Sequence, residues 1–196
     1  GAVHSKLKAR KSLQIRCSKG ERATTEKIQR IVARQRAYFR SGATRPVSAR
    51  VNALKKLRQE IKNREGILLD ALKADLHKCQ FEGYMCEVGM CLDELGYLIK
   101  NVSDWAKPQK RPTPIAQFKS KSYELPEPYG VTLVMSPWNY PILLSLDPVF
   151  GAVAAGNCVV LKPSAYAPHT SRALAKLIQA VFDPGWVTVV EGGREE

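Results

Sequence analysis

The chain has 196 residues, of which 44% are hydrophobic and 25% charged, with a formal net charge of +13. That much apolar material supports a sizeable core and excludes a wholly disordered or low-complexity protein. No apolar run reaches membrane-spanning length without a Pro, Asp or Asn inside it, and the five cysteines show no CxxC pair, which argues against a zinc ribbon or a disulfide framework.

The charge is uneven. Residues 1–64 carry 19 Lys and Arg against 3 Asp and Glu, whereas 65–196 carry 12 against 15. A basic half suggests an anionic partner, but neither a nucleic-acid motif nor interleaved aromatics accompany it, so nucleic acid is not the expected partner. The cysteines point to a reducing compartment, and a cytoplasmic location is expected, with organellar targeting by the basic N-terminus as the alternative. Cys79, Cys86 and Cys91 with His77 lack the spacing of converging ligands, and no metal is expected.

Residues 1–22 alternate Lys, Arg and Ser with no acidic residue before Glu21 and no apolar signal core. They read as a disordered basic extension. A helix is expected from Thr24-Thr25 to Arg40, with a partial stripe of Ile28, Ile31, Val32 and Phe39, ended at Ser41-Gly42. Pro46 opens the next helix with Ser48 as its expected cap. Val51, Leu54, Leu57, Ile61, Leu68, Leu72 and Leu76 recur at threes and fours, with a break expected at Gly66. Phe81, Met85, Val88, Leu92, Leu95, Ile99 and Val102 continue the pattern towards Trp105. Tyr84, Met85 and Met90 are read as core. Pro108, Pro112 and Pro114 make a stiff connection, and Phe118–Glu124 reads as extended.

The segment from Pro128 to Ser164 organises the rest. Val131–Met135 is a short apolar run rich in β-branched residues, between Gly130 and Ser136-Pro137, and reads as a fully buried parallel strand. Ile142–Ala155 reads as an apolar helix closed by Gly156-Asn157, and Cys158–Leu161 as a second buried strand. Such a βαβ unit builds a parallel sheet, and ligands bind such sheets at the carboxyl ends of the strands. Trp138-Asn139-Tyr140 and Lys162-Pro163-Ser164 fall at those ends. Pro168–Phe182 reads as a further helix, Asp183-Pro184-Gly185 as a turn and Trp186–Val190 as a third strand.

PWNYP, followed after the apolar helix by AAGNCVVLKPS, resembles the aldehyde dehydrogenase superfamily. The upstream stretch RVNALKKLRQEIKNREGILLDALKADLHKCQFEGYMCEVGMCLDEL resembles its class 3 branch, which takes fatty and aromatic aldehydes. The resemblance runs from about Arg30 to the end of the chain. It implies an α/β fold in which N-terminal helices pack on the first part of a Rossmann-like parallel sheet, an incomplete aldehyde dehydrogenase fold. The implied organisation is an extension at 1–22, a helical layer at 23–107, a Pro-rich connection with an oligomerisation strand at 108–128, and the first part of a dinucleotide-binding domain at 129–196.

It further implies NAD(P)-dependent oxidation of an aldehyde to a carboxylic acid, and a homodimer at full length. Asn139 matches the oxyanion donor of the family, although on spacing alone an Asn there could instead cap the following turn. Lys162 matches the family lysine that hydrogen-bonds the adenosine ribose, and Ser164 is expected among the cofactor-binding residues. Ser136, Pro137 and Trp138 match the loop beneath the cofactor, and Tyr140 matches an aromatic near the aldehyde. The family's KPSE reads KPSA here: Ala165 replaces a Glu that would repel a 2′-phosphate, so either NAD or NADP is expected. The nucleophilic cysteine and general-base glutamate belong to later sequence than this chain holds, so the chain alone is expected to be inactive. The alternatives are a non-catalytic binding product acting through the basic N-terminus, and a sibling reductase of acyl phosphates or acyl-CoA.

Overall fold

The computed structural model describes residues 19–193. Residues 1–18, most of the expected basic extension, lie outside the described residues, while 19–22 belong to the first helix.

Among the described residues, four longer helices, one four-residue helix and a π-helical turn precede the strands. The first helix, α1 (Lys19–Arg40), ends at Ser41-Gly42, where Gly42 adopts φ 77°. The next helices are α2 (Val47–Asn63) and α3 (Glu65–Leu76). Pro46, not Ser48, stands at the start of α2, and no side chain caps it. Pro46 is extended at φ −61°, ψ 127°, and its carbonyl accepts from Ala49 N at 3.1 Å and Arg50 N at 3.3 Å, which closes the first turn. The break between α2 and α3 falls at Arg64 rather than Gly66. Arg64 leaves helical geometry at φ −111°, ψ 12° and donates an ion pair back to Glu60 at 3.1 Å.

After His77, in the left-handed region at φ 57°, come α4 (Gln80–Gly83), a π-helical turn (Tyr84–Val88) and α5 (Gly89–Trp105). The π turn corrects the sequence reading. One extra residue per turn shifts the phase of the stripe: Glu87 and Val88 are buried while Tyr84, Met85 and Met90 are exposed, and Phe81, in α4 before the π turn, is exposed as well. Beyond α5, β1 (Gln109–Arg111) pairs antiparallel with β2 (Ser122–Glu124), and a 3-10 turn (Ile115–Gln117) lies between them. The extended segment is thus three residues, not the whole of Phe118–Glu124.

The main sheet is parallel, in the order β3 (Val131–Met135), β4 (Cys158–Lys162), β5 (Val187–Val189). Its crossovers are α6 (Leu143–Ala155) and α7 (Pro168–Val181). From the contacts, α1 lies over one face of β3 and β4 while α6 and α7 cover the other, and α2, α3 and α5 pack behind them. One core unites helices and sheet: Leu54, Leu57, Ile61, Leu72 and Leu95 share it with Leu146, Phe150, Leu161 and Leu174.

Central strand β4 is buried through Cys158–Leu161, as its apolar run requires. β3 is not fully buried. Only Val134, on the α6 side, is buried, while Leu133 and Met135 are 62% and 73% exposed. The run VTLVM suits a two-sided strand, but β3 lies at the sheet edge and α1 leaves its outer face open beyond Val131.

Candidate functional site at the carboxyl edge of the sheet

Because β3, β4 and β5 are parallel, their carboxyl ends form one edge. The ladder extends into it: Ser136 N donates to Lys162 O at 3.2 Å and Val190 N to Leu161 O at 2.8 Å. Alternation sets which side chains share a face. The register pairs Leu133 with Val160 and Met135 with Lys162, so these four project on the α1 side. They line a cleft of ≈ 700 Å³ with Ile28, Ser136, Pro163, Ser164, Ala165, Tyr166, Val190, Gly192 and Gly193.

Among the described residues Lys162 is the one cation that lines the cleft. Its ammonium donates to Gly192 O at 2.5 Å, leaving two further N–H donors for a ligand. Ser164 Oγ accepts from Tyr166 N at 3.2 Å, which fixes the turn after β4. Ser136 Oγ lies 2.6 Å from Ser145 Oγ, and Ser145 donates to Pro141 O at 2.5 Å. The loop leaving β3 is thereby tied to the first turn of α6.

The cleft therefore gathers Ser136, Lys162 and Ser164. Pro137, Trp138, Asn139 and Tyr140 are exposed and stand outside its lining. Asn139 and Tyr140 instead meet a buried ion pair. Lys78 Nζ donates to Glu87 Oε1 at 2.6 Å and to Asn139 O at 2.9 Å, and it sits 4.0 Å from the Tyr140 ring centroid. Glu87 Oε2 accepts from Ile142 N at 2.7 Å and from Leu143 N at 3.3 Å. The cap of α6 is thus Glu87, not Asn139, whose side-chain amide has no partner among the described residues.

Lys78 and Glu87 were not singled out from sequence. They are nine residues apart, outside the i, i+4 spacing that flags helical ion pairs. The available signal was Glu87 itself, a carboxylate next to Val88 in an apolar stripe.

Several buried groups support the edge from behind. Asn157 Oδ1 accepts from Gly130 N at 2.9 Å, and Trp186 Nε1 donates to Asn157 O at 3.2 Å, joining the starts of all three strands. Gln35 of α1 donates to Val159 O at 2.6 Å. Burial pushes the Cys158 thiol up to about 11 and raises Cys91 further, with Asp147 and Glu87 adding to the rise. Both thiols stay protonated near neutrality, unlike an activated nucleophile. Among the described residues no group of three or more His, Cys, Asp or Glu is placed to hold a metal ion. Nor is any described helix long and apolar enough to cross a membrane.

Set against known proteins, residues 11–196 match the family model for the aldehyde dehydrogenase family. Aldehyde dehydrogenase family 3 member H1 of Arabidopsis thaliana is 42% identical over 166 residues, 85% of this chain and 34% of the relative. The dimeric NADP-preferring aldehyde dehydrogenase of Canis lupus familiaris is 41% identical over 171 residues, 87% of this chain and 38% of the relative. A solved structure described as the substrate-bound state of Staphylococcus aureus AldH superposes with a TM-score of 0.84 at 38% identity, over 86% of this chain and 37% of that one. The chain spans about a third of the length of the curated relatives it matches.

Proposed function

The chain belongs to the aldehyde dehydrogenase family, and on that premise we propose that it forms the cofactor-binding edge and oxyanion loop of a longer enzyme of the family 3 branch. That enzyme oxidises an aldehyde to a carboxylic acid with NAD or NADP and works as a dimer, as the name of the canine relative says of that protein. The supporting observation is the coincidence, at one sheet edge, of a cationic cleft and an unpartnered Asn139 amide on a braced loop.

The cleft suits a dinucleotide. It is open, it offers two unused donors on Lys162, and its far wall ends in Gly193, where a Cβ would meet nothing within 4 Å. Lys162 and Ser164 would hold the adenosine ribose, with Ser136 and Pro137 beneath. A bound nicotinamide dinucleotide supplies the hydride acceptor. Ala165 leaves the ribose 2′ position without a carboxylate, so a 2′-phosphate meets no repulsion there. Asn139 would donate its side-chain N–H to the oxygen that becomes negative when the aldehyde carbon turns tetrahedral. Tyr140, 40% exposed on the same loop, would border the aldehyde.

The thiols of this chain do not act as the nucleophile: Cys91 and Cys158 are buried with raised pKa values, and none of the five cysteines lies in the nucleophile's motif. The 196-residue chain by itself is therefore inactive towards aldehydes. The test follows reduced cofactor at 340 nm for the full-length enzyme and for this chain alone, with aliphatic and aromatic aldehydes. Turnover by the full-length enzyme and none by the chain is the expected result. Turnover by the chain alone, or a full-length enzyme inert to every aldehyde, would overturn the proposal.

A further inference from the structure

The buried Lys78–Glu87 pair needs a reason. The Glu87 side chain is 0% exposed and that of Lys78 10%, and removing two charges from water costs several kcal/mol per ion before their attraction is counted. An apolar pair would fill the same space without that cost. What the pair gains is a set of bonds to one segment. Its contacts fall on four of the five residues from Asn139 to Leu143, where the β3–α6 connection enters α6, and skip only Pro141: Asn139 O, the Tyr140 ring, Ile142 N and Leu143 N.

Those contacts satisfy groups that the Ser136–Ser145–Pro141 bonds of the loop leave open. The N-terminal turn of α6 contains no acidic residue, and Ile142 at its cap offers no side-chain acceptor. Glu87 supplies the missing acceptor from the π turn, next to the positive end of the α6 dipole. Its charge would be stranded without Lys78, and Lys78 spends its second hydrogen bond on the main-chain carbonyl of Asn139. Gripping that carbonyl fixes the Asn139 peptide plane, and with it the direction in which the side chain leaves the backbone. The amide is left exposed and unpartnered, aimed by its own backbone.

We propose that Lys78 and Glu87 are positioning residues for Asn139: the pair orients the amide donor and does not itself touch the reacting atoms. The inference rests on the assignment of Asn139 as the oxyanion donor. It also accounts for the π turn, since the added residue rotates Glu87 inward where a continuous α-helix would not.

The test is steady-state kinetics on the full-length enzyme and three variants: Asn139→Ala, Lys78→Met/Glu87→Gln, and all three changes combined. The double variant removes both charges but keeps a side-chain acceptor for the α6 amides, and its thermal melt reports that it folds. Asn139→Ala is expected to lower kcat by about 10²–10³-fold. Lys78→Met/Glu87→Gln is expected to lower kcat by about tenfold or more while KM for the cofactor stays unchanged. In the triple variant kcat falls no further than in Asn139→Ala, because the pair acts through that residue. A folded double variant with full kcat, or losses that multiply in the triple variant, would show the pair to be structural only and overturn the proposal. An unchanged kcat in Asn139→Ala would instead strike the oxyanion assignment itself, and the positioning role would fall with it.

Discussion

Replacing Gly156 with Ala tests how the β4 strand is set in place. Gly156 closes α6 at φ 92°, where an L side chain is strained by about 1–2 kcal/mol. A Cβ there would lie 2.9 Å from both Cζ and Nε of Arg50 and 3.0 Å from its Nη2, so the guanidinium must move. Arg50 is not free to do so without loss. It donates from Nε to Thr44 O at 2.8 Å, from Nη2 to Arg45 O at 2.6 Å and from Nη1 to Ala154 O at 3.4 Å. Burial lowers its pKa from the ordinary value, so these carbonyls are what offset the desolvated charge. Losing the equivalent of one such bond adds about 1.5–3 kcal/mol. Together the change should cost about 2.5–5 kcal/mol and lower Tm by about 5–20 °C for a chain of this size. Thermal and urea unfolding followed by circular dichroism would measure it. In an Arg50→Ala background the cost of Gly156→Ala should shrink to the backbone strain alone. A Gly156→Ala variant within about 0.5 kcal/mol of the parent would refute both the strain and the clash.

Other outcomes follow from burial and exposure. At pH 8 iodoacetamide should label exposed Cys79 and spare Cys91 and Cys158, as peptide mass mapping would reveal; modification of Cys158 in the native chain as fast as Cys79 would contradict its burial. The folded Cys158 thiol has a raised pKa, so its contribution is complete below the ordinary thiol value of about 8.5 and is lost as pH rises towards about 11. Tm should fall over that alkaline range, and less steeply in Cys158→Val; parallel curves would contradict the linkage. The open outer face of β3, with Leu133 and Met135 exposed, should make the chain self-associate, and Leu133→Lys should shift it towards monomer in sedimentation velocity. A monodisperse parent chain would remove that expectation.

Much of the architecture was legible because the decisive signals are local. Gly130 and Ser136-Pro137 bracket VTLVM, and Gly156-Asn157 stops an apolar helix, so the βαβ unit and the edge that carries Asn139 and Lys162 could be placed from spacing. The exposure of Leu133 was not legible, since an edge strand and a central strand share one apolar run and differ only in their neighbours. Helix phase misled in the same way. Tyr84, Met85 and Met90 fit a continuous stripe, and only the π turn, stabilised by the long-range contacts of Glu87, carries them outward. The Lys78–Glu87 brace was invisible for a related reason: its targets lie 61 residues from Lys78 at Asn139 and 55 residues from Glu87 at Ile142. Ser48 is not the cap because it already lies inside the first turn of α2, as the second helical residue after Pro46.

Calorimetric titration of the chain with NAD and NADP, alongside Lys162→Ala, asks whether this sheet edge binds a nicotinamide dinucleotide. Both cofactors should bind, because Ala165 repels neither, and affinity should fall by about tenfold to a hundredfold when the Lys162 ammonium is removed. No heat from either cofactor, or the same Kd in Lys162→Ala as in the parent, would contradict a dinucleotide site at this edge.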